Sequence, residues 1–320
     1  MAFAPPNGVQ RTPNVIWGAV GMLVGFLLAG LRSSLQAPGG AAAPISLAAS
    51  ASGAAAADPG WPPRVFPGED NPLFAFYEGY KKGPVIHKWS QYFDVYHRHF
   101  SRFRGKEVHF LEVGVQSGGS IELWRHYFGP GLHYYGVDIN PYTKPLFEGP
   151  NTKIFVGSQE DREFWRRTLA ELPPMDIVLD DGGHSMTQQT VTFEEVYEQV
   201  KEGGIYMVED TATSYADGYA GQIWGSFGGG PKKPGTFIEL AKDKVDELNG
   251  WYHTATKFTQ TTTAMAFYDQ IVVFEKRDHP KPAFPLQVGS VGMDYAPPKN
   301  ADGSMDPAVL ADLKKRYANP

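Results

Sequence analysis

The 320-residue chain contains no cysteine, which excludes disulfides, thiolate metal ligands and thiol nucleophiles. It has no excess of basic charge either, since 29 Lys and Arg stand against 35 Asp and Glu, a formal net charge of -6 at pH 7. Proteins that grip a phosphate backbone concentrate positive charge on one face, so no nucleic-acid partner is expected. The few basic pairs, such as Lys81-Lys82 and Lys232-Lys233, read as solvated loops. Asn-x-Ser/Thr sequences and internal repeats are also absent. What is present, 42% hydrophobic and 20% charged residues, suits one well-cored domain with appendages.

The amino-terminal region differs from the rest. Residues 15–31, VIWGAVGMLVGFLLAGL, carry no charge and lie between Arg11 and Arg32. As a helix this run would measure about 26 Å, near the ~30 Å hydrocarbon thickness of a bilayer. It reads as a single membrane anchor, with a cytoplasmic N-terminus and a body in an endomembrane or Golgi lumen. The alanines after Leu35 offer the alternative of a cleaved signal and a secreted body. Residues 33–60 are mostly Ala, Ser, Gly and Pro, which bury too little apolar area to offset their ordering entropy. The division is therefore an anchor or signal over 1–32, a disordered linker over 33–60 and a folded domain over 61–320.

Within that domain, β-rich runs alternate with helical stretches: VHFLEV at Val108, HYYGVDI at His133, TKIFV at Thr152, DIVLD at Asp176 and GIYMVED at Gly204. Helices are expected near 120–127, 162–172 and 187–200. Such alternation specifies right-handed crossovers and a mainly parallel α/β sheet covered on both faces. TTTAMAFYDQIVVFEK near the end predicts an antiparallel hairpin about Asp269-Gln270. Ligands of open α/β sheets sit beyond the carboxyl ends of the strands, so the informative residues follow each run.

After the first run comes LEVGVQSGGS, with Glu112, Gly114, Gly118 and Gly119, and Ser120 placed to cap a helix. The E-x-G-x-x-x-G spacing departs from the dinucleotide pattern and resembles the first motif of class I S-adenosylmethionine-dependent methyltransferases. The second run ends on Asp138, where an acid can bond the ribose hydroxyls of an adenosine cofactor, NAD included. Ser158 and Gln159 follow the third run, and in a methyltransferase would lie beside the adenine. Alternatively Ser158 is a helix N-cap with Asp161 at the third position.

The fourth run ends in DDGGHS, placing Asp180, Asp181 and His184 at the reactive end, and the fifth ends on Glu209-Asp210. Asp181, Glu209 and Asp210 would share one cleft and repel strongly unless a cation joins them. All-oxygen ligation favours Mg²⁺, with Mn²⁺ or Ca²⁺ as substitutes. Such an ion lowers the pKa of a substrate hydroxyl, and His184 is placed to take its proton. The competing reading has acidic strand ends bonding helix N-termini and an ordinary loop histidine.

FLEVGVQSGGSIELWRHYF, YGVDI, VGSQEDREFWRR, DIVLDDGGHSMTQQTVTFEEV, GGIYMVEDTATSY and IVVFEK, in that order, resemble the magnesium-dependent sugar O-methyltransferases that tailor macrolides, of the mycinamicin and tylosin type. The resemblance implies a Rossmann-like class I fold and S-adenosylmethionine and Mg²⁺ as cofactors. It assigns metal ligation to Asp181, Glu209 and Asp210, general-base action to His184, and cofactor contacts to Glu112, Gly114, Asp138 and Asp180. It also implies a sugar or other small-molecule hydroxyl acceptor, and commonly a homo-oligomer. Three other readings are weighed: methyl transfer to a phenolic or polyketide hydroxyl, a non-catalytic glycan-binding scaffold, and a nicotinamide oxidoreductase, which the glycine spacing disfavours. Trp224 and Phe227 are candidates to stack on a sugar. The aromatics of residues 77–103 read mostly as packing, with His87, His97 and His99 as further candidates to line a channel.

Overall fold

The computed structural model describes residues 71–216, 229–283, 288–289 and 299–318. The expected anchor, the linker, and Trp224 and Phe227 lie outside the described residues. One expectation is corrected: among the described residues no helix is long and apolar enough to cross a membrane. Membrane attachment, with the endomembrane or Golgi placement built on it, is not carried forward.

Helices α1 (Pro72–Gly79) and α2 (Tyr92–Phe100) precede the sheet. Then come β1 (Val108–Val113), α3 (Gly119–Phe128), β2 (Leu132–Asp138), α4 (Thr143–Phe147), β3 (Thr152–Val156), α5 (Arg162–Leu169), β4 (Met175–Asp180), α6 (Met186–Val196) and β5 (Val200–Val208). The described chain continues with α7 (Phe237–Leu248), α8 (Lys257–Thr261), β6 (Thr262–Tyr268), β7 (Ile271–Lys276) and α9 (Pro307–Ala318). The seven-stranded sheet runs in the order β3-β2-β1-β4-β5-β7-β6. All pairings from β3 to β5 are parallel, and β7 runs antiparallel to both β5 and β6. Gln270 takes up positive φ in the tight turn that joins β6 to β7, as the Asp269-Gln270 turn predicts.

Because successive side chains of a strand point to opposite faces, the fully apolar runs build two cores. Phe110, Ile177 and Leu179 face an aromatic layer from α2 and α3, with Phe93, Tyr96, Phe100 and Trp124 fully or almost fully buried. Leu111, Val178 and Tyr206 face α5, α6 and α7, with Trp165, Phe193 and Phe237. Each large side chain so buried contributes ~1.5–3 kcal/mol, so the sheet is held rigidly from both sides. Strand order reverses between β1 and β4, and the expected ligand crevice lies at the carboxyl ends of those strands.

Candidate active site

The ends of β1 and β2 form one side of the crevice. Glu112 is fully buried, and its carboxylate accepts from Ser120 Oγ at 2.7 Å, Trp124 Nε1 at 3.2 Å and Tyr134 Oη. Ser120 is thus not the helix cap predicted from its position. The N-cap is Gly118, left-handed and without a side-chain bond, because the serine hydroxyl is turned inward to the buried acid. Gly114 has φ +93°, and a Cβ there would lie 2.0 Å from the Asp181 carbonyl oxygen, so only glycine lets β1 and β4 end side by side. Asp138 accepts from the backbone N–H groups of Val115 at 2.9 Å, Gln116 at 2.8 Å and Asn140 at 2.8 Å, and so pins the glycine turn.

Ser158 is not an N-cap either; Asp161 caps α5, accepting from the Glu163 amide at 2.9 Å. Gln159 is buried, and its amide donates to Asp180 Oδ1 at 2.9 Å while its oxygen accepts from the Gly183 N–H at 2.6 Å. It clamps the turn after β4 to the turn after β3. Asp180 is 1% exposed, and burial pushes its carboxyl up to about 7.

The β4 and β5 ends carry the acidic cluster. Ligand atoms of Asp181, His184 and Asp210 lie within 4.8 Å of one another, a grouping able to hold a metal ion. His184 and Asp210 both adopt left-handed backbone, at φ 58° and 52°, so each turn is held in an unfavourable conformation that aims its side chain at the cluster. His184 Nε2 lies 3.4 Å from Asp210 Oδ2. Glu209, fully buried, is not in that group. Burial, with Asp181 close by, raises its carboxyl well above the usual range.

A cation already stands here that the sequence reading passed over. Lys88 donates to Asp181 Oδ2 at 2.5 Å and Glu209 Oε2 at 3.1 Å, and is 3.8 Å from Glu112. Burial alone would lower its pKa, but Asp181, Glu209 and Glu112 outweigh this and hold the ammonium above the ordinary lysine range. On the helix that follows, α2, Tyr92 Oη donates to Asp210 Oδ1 at 2.6 Å and Tyr96 Oη donates to Glu209 Oε1. Burial and these carboxylates hold both phenols protonated. A partial signal was legible as Y-x-x-x-Y, two hydroxyls at helical spacing inside an aromatic segment, whereas Lys88 lies before the helix. His97 and His99 instead bond Tyr127 and Tyr268, away from the cluster.

The donor set fits the expected groups. Among the described residues, the buried side-chain atoms without a hydrogen-bond partner are Tyr80 Oη, Asp180 Oδ2, His184 Nδ1, Gln189 Oε1 and Tyr206 Oη. All but the first belong to β4, β5 and the turn and helix between them. Buried polar atoms are normally paired, so Asp180 Oδ2 and His184 Nδ1, at the end of β4 and in the turn after it, are the two that a ligand in the crevice is placed to affect.

No family model matches the chain. It is 35% identical over 168 residues to 8-demethyl-8-(2-methoxy-alpha-L-rhamnosyl)-tetracenomycin-C 3'-O-methyltransferase of Streptomyces olivaceus, covering 50% of this chain and 41% of that protein. It is 33% identical over 161 residues to mycinamicin VI 2''-O-methyltransferase of Micromonospora griseorubida, covering 48% of this chain and 38% of the relative. The chain thus spans less than half the length of these curated relatives. Among solved structures, the MycE methyltransferase of mycinamycin biosynthesis, in complex with Mg, SAH and mycinamycin VI, aligns with TM-score 0.53 and 27% identity, over 63% of this chain and 54% of that one. Sheet order, strand-end acids and these likenesses together show a class I methyltransferase fold, similar to the macrolide and tetracenomycin sugar O-methyltransferases.

Proposed function

We propose that the chain is an Mg²⁺-dependent O-methyltransferase that moves a methyl group from S-adenosylmethionine to a hydroxyl of a sugar or glycosylated small molecule. The carrying observation is the Asp181, His184 and Asp210 donor group, set beside a fold whose similar proteins are named as sugar O-methyltransferases. Glu112, Gly114, Gly118, Asp138, Ser158 and Asp180 build the cofactor side, with Ser120 and Gln159 supporting its shape rather than reaching out of it.

When bound, the cofactor supplies an electrophilic methyl and the divalent ion lowers the pKa of the acceptor hydroxyl. Asp181 and Asp210 would hold the ion. Glu209, whose oxygens already accept from Lys88 and Tyr96, supports them from below. His184, whose Nε2 lies 3.4 Å from Asp210 Oδ2, is the base we assign to take the hydroxyl proton. The rigid strand ends keep acid, base and acceptor in register, which is where most of the rate gain of such a site comes from.

A thermal melt of the full chain, metal-stripped, tests this with S-adenosylhomocysteine, Mg²⁺, both together, and NAD as control. A ligand at a hundredfold its dissociation constant adds ~2.7 kcal/mol, or roughly 5 °C for a domain of this size. Stabilisation by S-adenosylhomocysteine and by Mg²⁺, but not by NAD, is expected. Absence of both shifts would refute the proposal, and turnover on catechols but not glycosides would move the acceptor to phenols.

A further inference from the structure

Carboxylates of Glu112, Asp181, Glu209 and Asp210 converge from three strand ends, and the ammonium of Lys88 is set among them. The Lys88 side chain is 3% exposed, and its Nζ also sits 5.7 Å from the Tyr96 ring centroid, so it is held in the core rather than sampling solvent. Asp181 faces two ways. On the closed side it accepts from Lys88, and on the open side it belongs to the donor group with His184 and Asp210. Glu209 is drawn to the closed side by Lys88 and Tyr96, while Tyr92 occupies one oxygen of Asp210.

An ammonium and a divalent ion that share one carboxylate repel each other and divide its negative charge. We propose that Lys88 is a positioning residue that tunes the metal. Its ammonium competes with the ion for Asp181, and so makes ion binding weaker than the carboxylates alone would make it. The proposal rests on the divalent-ion reading given above. A lysine that merely held the fold together would act in the opposite direction, because its loss would scatter the ligands and weaken the ion.

The experiment is a titration of the full chain with Mn²⁺, followed by electron paramagnetic resonance, for wild type, Lys88→Met and Lys88→Arg. S-adenosylhomocysteine affinity is measured in parallel by calorimetry. Lys88→Met is expected to bind Mn²⁺ roughly tenfold tighter or more, the scale of removing a unit charge beside a divalent ion. Lys88→Arg should stay near wild type, and all three should bind S-adenosylhomocysteine alike. Unchanged or weaker Mn²⁺ binding by a Lys88→Met chain that keeps S-adenosylhomocysteine binding overturns the proposal. Should Lys88→Met not fold, the protected ammonium resonance of Lys88 in wild type decides: a shift on Mg²⁺ saturation supports competition, and an unmoved resonance overturns it. Wild type that binds S-adenosylhomocysteine but no Mn²⁺ removes the divalent-ion reading itself, an outcome visible without any variant.

Discussion

The two halves of the crevice differ in how far the chain completes them. At the ends of β1 and β2, the carboxylates of Glu112 and Asp138 are each met by three donors from the protein itself, side chains for the first and backbone amides for the second. At the ends of β4 and β5, Asp180 keeps one oxygen unpaired, His184 one nitrogen, and the acids outnumber the single ammonium of Lys88. One half is a finished scaffold whose acids shape a turn. The other is electrostatically open, and its stability and chemistry both wait on a ligand.

The largest effect that would break this contrast concerns the open half. Asp181→Ala is expected to abolish the Mg²⁺-dependent rise in melting temperature and to lower turnover by roughly 10³-fold, the several kcal/mol that a metal contributes. Its stability in EDTA should change little, because Lys88 retains Glu209 and Glu112. Full turnover after EDTA treatment would place the chemistry elsewhere.

The finished half should respond in stability instead. Glu112→Ala strands the hydroxyls of Ser120 and Tyr134 and the indole N–H of Trp124 in the core. A loss of about 3–5 kcal/mol in urea unfolding is expected, as when a buried charged partner is removed. If Glu112→Ala unfolds at the wild-type urea midpoint while Asp181→Ala is crippled in stability, the two halves have been assigned the wrong way round.

Much of the scaffold was readable because its signals are local. Alternating β-rich and helical runs gave the parallel strands and the final hairpin, and the acids after each strand fell into one crevice. Helix ends were overrun at 172 and 200, since α5 stops at Leu169 and α6 gives way at Tyr197 to a tight turn before β5. Ser120 was misread as a cap because position favours capping, whereas a buried carboxylate competes for its hydroxyl, and the alternative reading of Ser158 as a cap fails because Asp161 takes that place. Lys88, Tyr92 and Tyr96 were missed for a different reason. Only the tyrosines lie on α2 and Lys88 precedes it, so it takes the packing of α2 and of the segment before it against the strand ends to bring all three to Glu209 and its neighbouring acids.

The contrast sharpens at Asp180, where the open half affects stability through protons alone. Burial pushes this carboxyl up to about 7, above its ordinary value of 3.8, so the folded chain binds a proton more readily than the unfolded one between those limits. The contribution of Asp180 to stability therefore falls as pH rises from about 4 to about 7 and is flat on either side. Asp180→Asn supplies an amide that keeps the oxygen facing Gln159 and offers a donor where Oδ2 has no partner. In EDTA it should match wild type near pH 4 and exceed it at pH 8, by about 4 kcal/mol at most. Urea midpoints of both proteins across that range measure the difference. Parallel curves would mean that Asp180 is already ionised and paired, which would move it from the open half of the crevice to the finished one.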